Sequence, residues 1–129
     1  MPATILLVDD HQDTRLMYAE YMEGQYDVLL AANGTEALEQ ASRRRPDLLI
    51  TDLSLPDFDG FELVGRMRRD PALATVPVIC LSGHAGPSYE ERAREVGCAR
   101  LLQKPCLPDT LANAAADVLG ASVTRRQNT

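Results

Sequence analysis

The sequence predicts an α/β fold: a five-stranded parallel sheet, doubly wound, with helices on both faces. Three observations predict it. Five short apolar runs alternate with five longer segments of helical spacing along the 129 residues. The runs are almost continuously apolar rather than alternating, as in strands covered on both faces. Regular strand–helix alternation requires right-handed crossovers, which distribute the helices over both sides of one sheet.

The first strand spans Thr4 to Val8. A helix over 12–23 follows. At about 100° per residue, Met17, Tyr18, Tyr21 and Met22 fall on one arc and are expected to face the sheet, with Leu16 exposed opposite. The second strand, Tyr26 to Leu30, leads through Asn33 and Gly34 into a helix over 35–44. The third strand, Asp47 to Thr51, leads into a helix over 58–69 with Gly60 near its start. Pro46 and Pro71 stop the helices before them. The fourth strand lies within Val76 to Leu81 and begins around Pro77, which cannot donate to a sheet ladder. The fourth helix, 87–96, ends before Gly97, a cap suited to left-handed backbone. The fifth strand is Arg100 to Gln103, and the last helix covers 108–119. Residues 1–119 form one domain, and the polar tail 120–129 is expected to be flexible.

Composition narrows the function. No apolar run approaches the roughly 18 residues of a membrane span, and no basic-then-apolar leader opens the chain, so a cytoplasmic protein without membrane contact is expected. Three cysteines, Cys80, Cys98 and Cys106, lack a CxxC spacing and read as reduced, packing thiols. The net charge is −6, with 13 acids and 4 bases in residues 1–65 against 6 acids and 9 bases in 66–129. Such a chain has no dense basic stripe for nucleic acid. Lys104 is the one lysine beside twelve arginines, which invites a site-specific role.

Chemistry in open α/β sheets gathers beyond the carboxyl ends of the strands. The first strand ends in Asp9 and Asp10, the third in Asp52, the fourth in Ser82 and Gly83, the fifth in Lys104 and Pro105. Three converging carboxylates stay ionised together only beside a compensating cation. Hard oxygen ligands suit Mg²⁺, which prefers one or two carboxylates plus waters and phosphate. Lys104 adds a point charge, Ser82 a hydroxyl, and Gly83 an open backbone N–H. Together these describe a site for the charge on a phosphoryl group. Each piece alone has an ordinary structural explanation; the four in order do not share one.

Over about residues 3–119 the chain resembles the receiver domain of bacterial response regulators. The resemblance rests on Ile5 to Asp10, Asp47 to Gly60, Val78 to Gly83, and Gln103-Lys104-Pro105. It implies a flavodoxin-like sheet of order 2-1-3-4-5. It implies Asp52 as phosphoacceptor, with Mg²⁺ held by Asp10, Asp52 and the backbone carbonyl of Ser54, and Asp9 assisting. Lys104, aimed by a cis bond to Pro105, and Ser82 would contact the phosphoryl group. His84 and Ser54 occupy positions that influence how water reaches the acyl phosphate. The family carries an aromatic switch residue three positions before the lysine; here that position is Leu101, so either the output surface is expected to differ or the switch to rely on backbone and the helix over 87–96.

The resemblance further implies in-line transfer from a phosphohistidine of a histidine kinase or histidine phosphotransferase. The protein would catalyse its own phosphorylation and slow dephosphorylation, without turning over a separate substrate. The tail is too short for a DNA-binding module, so action through a downstream protein is expected, either as a stand-alone regulator or relay carrier, which Met1 mildly favours, or as a fragment of something larger. The alternative is a degenerate receiver that binds proteins without phosphorylation. A haloacid-type phosphatase would need a second acid where Ser54 stands, and a flavin binder would want a phosphate-cradling loop where Asp9 and Asp10 repel phosphate. His11 is unsuited as a phosphodonor because no kinase-type helical bundle surrounds it.

Overall fold

The computed structural model describes the backbone of residues 2–127 and side chains as far as residue 120. Along it run β1 (Thr4–Val8), α1 (Gln12–Met22), β2 (Asp27–Ala31), α2 (Gly34–Arg43), β3 (Leu48–Asp52), α3 (Gly60–Arg69), β4 (Val78–Ser82), α4 (Pro87–Val96), β5 (Arg100–Gln103) and α5 (Pro108–Gln127). All pairings are parallel, in the order β2-β1-β3-β4-β5. The doubly wound sheet expected from the sequence is therefore present. β4 begins immediately after Pro77, whose carbonyl still accepts from the Leu49 N–H at 3.0 Å. The last helix continues past 119 to Gln127. Apart from Gly120, the 120–129 tail expected to be flexible lies outside the residues whose side chains are described.

The strands of the sheet centre, β1, β3 and β4, are buried at every position. Successive side chains point to opposite faces, which separates two cores. Leu6, Val8, Leu49, Val78 and Cys80 pack with α2, α3 and Ala93 of α4. Ile5, Leu7, Leu48, Ile50, Ile79 and Leu81 pack with α1 and α5. Fully burying each such Leu or Ile contributes roughly 1.5–3 kcal/mol before entropy is counted. The edge strands β2 and β5 are only partly buried.

The helix termini follow local chemistry. Asn33 accepts from the Glu36 N–H at 2.8 Å to cap α2, and Asp59 accepts from the Glu62 N–H at 2.8 Å to cap α3. Gly97 closes α4 in left-handed geometry, φ 81°, with its N–H directed at the carbonyls of Ala93 and Arg94. One expectation for α1 is corrected. Its buried residues are Tyr18, Ala19 and Met22, whereas Met17 and Tyr21 are 44% and 54% exposed. The sheet-facing arc is centred between Tyr18 and Ala19, because a small residue lets the helix approach closely; an arc drawn through the largest apolar residues is rotated away from it. Leu16 is exposed as expected. Among the described residues, no helix is long and apolar enough to cross a membrane.

Candidate functional site

Every strand-end residue singled out in the sequence lies at the carboxyl edge of the sheet. β1 and β3 are neighbours in register, Val8 beside Thr51, so the residues after them, Asp9 and Asp52, meet. Asp9 is 1% exposed and Asp52 4%, whereas Asp10 is exposed. Two nearly buried carboxylates require compensation, and Lys104 provides part of it. Its Nζ lies 2.7 Å from Asp52 Oδ2 and 3.4 Å from Asp9 Oδ2. Burial works against the Lys104 ammonium, yet the Asp52 hydrogen bond and charge, followed by those of Asp9, hold its pKa above the ordinary lysine value.

Backbone geometry aims these groups. The Lys104 N–H donates to the Ser82 carbonyl at 2.7 Å, continuing the β4–β5 pairing by one residue, and the Lys104–Pro105 bond is cis. Beyond it, the Tyr18 hydroxyl donates to the Cys106 carbonyl at 2.7 Å and ties this loop to α1. The Asp9 carboxylate accepts from the His11 N–H at 2.9 Å, and the Asp9 carbonyl accepts from Arg15 at 2.6 Å. The other Asp52 oxygen, Oδ1, accepts from the Ser54 N–H at 3.1 Å. Gly60 permits the close approach of α3 to this edge: a Cβ there would lie 2.6 Å from the Asp52 carbonyl oxygen.

The acids can hold a cation. Asp9, Asp10, His11 and Asp52 each offer one ligand atom, and those atoms lie within 4.8 Å of one another. Three oxygen donors of this kind fit a hard divalent ion. His11 was not among the residues chosen from the sequence for this group. Its Nδ1 is 3.1 Å from Asp10 Oδ1, and its position directly after the acid pair was the available signal.

Ser82 is buried and its hydroxyl is occupied. It donates to the His84 carbonyl at 2.8 Å and accepts from the His84 N–H at 3.0 Å. Gly83 is exposed, with open space where a Cβ would stand. The His84 ring stacks on Tyr89 of α4, centroids 5.6 Å apart and planes 14° apart, and Tyr89 stands 6.5 Å from Phe61. Sequence reasoning missed Tyr89, because an aromatic on a polar helix carries no mark of its partner. Leu101 pairs in register with Cys80 and packs, partly buried, against the core beneath α3 and α4.

A family model described as response regulator receiver domain matches residues 5–116. The polar-differentiation response regulator DivK of Brucella anthropi is 33% identical over 106 residues, covering 81% of this chain and 86% of that protein. The response regulator Rre1 of Synechocystis is 33% identical over 112 residues, 85% of this chain and 48% of its own length. Among solved structures, the chemotaxis protein CheY4 of Vibrio cholerae matches with a TM-score of 0.87 at 32% identity, over 92% of this chain and 99% of that one.

Proposed function

The chain belongs to the family of response regulator receiver domains, and from that premise we propose that it takes a phosphoryl group from a phosphohistidine onto Asp52 in a magnesium-dependent reaction. The observation that carries this reading is the pairing of Asp52 with Lys104 at 2.7 Å inside a group of three carboxylates. A carboxylate held 2.7 Å from an ammonium is a nucleophile already set next to the charge that stabilises what it attacks.

Asp9, Asp10 and Asp52, joined by the Ser54 carbonyl, would hold the ion. Bound there, magnesium supplies positive charge that offsets the repulsion between the phosphoryl oxygens and the carboxylates. The protein's own groups do the rest. One oxygen of Asp52 attacks phosphorus in line with the departing imidazole nitrogen. The new O–P bond forms as the P–N bond breaks, and that electron pair stays with the imidazole. Lys104 moves its contact from the carboxylate to a phosphoryl oxygen. Ser82 gives up the His84 carbonyl to donate to a second phosphoryl oxygen, and the exposed Gly83 leaves its backbone N–H open to approach. Release of the His84 backbone disturbs the ring stacked on Tyr89, so the change enters α4 through that stack rather than through an aromatic at position 101.

The donor is a histidine kinase or histidine phosphotransferase, and the recipient of the signal is a downstream protein. The apolar surface beside Lys104 supports docking of the donor: Met17 and Leu107 are large, apolar and exposed, and line one groove with Lys104. Intact-mass spectrometry tests the chemistry. Incubation with a small phosphodonor and Mg²⁺ is expected to give one phosphoryl adduct, absent in Asp52→Asn and absent with EDTA. A folded protein that takes no adduct from any donor would instead be a phosphorylation-independent binding module.

A further inference from the structure

Away from the carboxylate site, two thiols meet that are separated by eighteen residues of chain. Cys80 Sγ and Cys98 Sγ are 3.0 Å apart. Cys80 is fully buried near the middle of β4. Cys98 lies in the turn between α4 and β5, half-buried, on the wall of an open cleft of about 540 Å³ that Arg68 and Arg100 also line. Cys98 lines this cleft, and the Cys80 sulfur lies 3.0 Å from its own.

Arg68 of α3 is fixed at this place. Its guanidinium donates to the carbonyls of Ala74, Val76, Val96 and Gly97 at 2.8–3.2 Å. Burial lowers the pKa of its guanidinium, and the neighbouring Cys98 and Cys80 act in the opposite direction. The hydrogen bond between the two sulfurs and the Arg68 charge lower the pKa of Cys98, against the effect of burial. The same hydrogen bond, then burial, pushes Cys80 up. Of the two sulfurs, the outer one, on the cleft wall, is therefore the more readily deprotonated. A thiol of lowered pKa on a cleft wall, with a second thiol in contact, is the arrangement that oxidises selectively.

We propose that Cys80 and Cys98 form a peroxide-reactive pair that closes to a reversible intramolecular disulfide. The Cys98 thiolate attacks one oxygen of hydrogen peroxide, the O–O bond breaks, and hydroxide leaves, giving a sulfenic acid at Cys98. The Cys80 sulfur then attacks the Cys98 sulfur. The S–S bond forms, the S–O bond breaks, and the departing hydroxyl takes the Cys80 proton as water. Two thiols lose two electrons and two protons, and one peroxide becomes two waters. Closure requires the sulfurs to approach by about 1 Å. The bond would tie β4, which ends at Ser82, to the turn leading into β5, which ends beside Lys104.

The test uses the full chain treated with hydrogen peroxide, alkylated under denaturing conditions and mapped without reduction. The expected result is loss of two of the three thiols in one molecule, with a linked peptide pair holding Cys80 and Cys98 that dithiothreitol separates. Cys106→Ser is expected to form the same link, because Cys106 lies in the core on the other face of the sheet. Cys98→Ser, a change at a half-buried position, is expected to leave Cys80 a free thiol. A link that includes Cys106, sulfinic acid at Cys98 with Cys80 still free, or two unreacted thiols under conditions that oxidise free cysteine in the same tube would overturn the proposal.

Discussion

Lys104 is the cation on which two nearly water-free carboxylates depend. In metal-free buffer, Lys104→Met removes the positive group 2.7 Å from Asp52 and 3.4 Å from Asp9 and leaves both acids in place. Breaking a buried pair from one side is costly, but Lys104 keeps some solvent contact, so a loss of about 2 kcal/mol is expected. Adding Asp52→Asn to that variant should recover most of it, since one of the two stranded charges is then gone. Urea unfolding followed by far-ultraviolet circular dichroism measures both, the chain having no tryptophan. Asp57 illustrates the opposite case, an exposed acid with many donors. Its carboxylate accepts from the N–H groups of Gly34, Thr35 and Phe58 and from the Thr35 hydroxyl at 2.7–2.9 Å. Desolvation raises its pKa, but the Thr35 hydroxyl and the three backbone donors together outweigh that and hold it far below the ordinary carboxylate value. A depressed pKa stabilises the fold at pH above the unfolded value, about 3.9 for Asp, and that contribution fades as pH falls toward the folded value. Wild type should therefore exceed Asp57→Asn in stability at pH 7, with the difference shrinking below about pH 4. A difference that stays constant with pH would show that the ionised form of Asp57 is not what the donors favour.

At the scale of elements, α3 connects the fold to the site. Its first residue, Gly60, sits where a Cβ would lie 2.6 Å from the Asp52 carbonyl oxygen and 2.9 Å from Leu53 Cα, both backbone atoms with little room to yield. Gly60→Ala is expected to cost about 1–3 kcal/mol and to slow phosphoryl uptake by shifting Asp52. Gly65, in the middle of the same helix, has only the end of Arg69 near its would-be Cβ, at 3.6 Å. Gly65→Ala should stabilise by about 0.5–1 kcal/mol through helix propensity and leave uptake unchanged. Thermal melts beside timed intact-mass spectra separate the two. The contrast also shows what the sequence made legible in a helix. Gly60 near a helix start and Gly97 after a helix end were visible as signals, because turn and cap chemistry is local. Which face of α1 meets the sheet was less legible: Ala19 packs inward while Met17 and Tyr21 face solvent. Residue size along one helix does not report how closely the neighbouring strands and α5 approach it.

At the scale of the molecule, strand alternation and strand-end chemistry were readable because both follow from one rule, that parallel strands deliver their last residues to one edge. Asp9, Asp52, Ser82 and Lys104 meet for that reason. The stack of His84 on Tyr89 and the approach of Cys80 to Cys98 were not readable, since each depends on where α4 comes to rest on the sheet. The same limit applies to the surface a partner would use. Leu16 and Met17 of α1 and Leu107 of the loop after β5 come from opposite ends of the chain, yet all are exposed, at 47%, 44% and 66%. Met17 and Leu107 line one groove with Thr14, Tyr18 and Lys104. A donor histidine that reaches Asp52 must pass Lys104, so the donor protein would cover this groove, whereas a small phosphodonor would not need it. Met17→Ala and Leu107→Ala are each expected to slow transfer from a phosphohistidine protein by about tenfold, the 1.4 kcal/mol of a modest interface anchor, while uptake from a small donor stays at the wild-type rate. Equal slowing with both donors would mean that the substitutions disturb Lys104 or Asp52. No slowing with either would remove this apolar surface from the docking face.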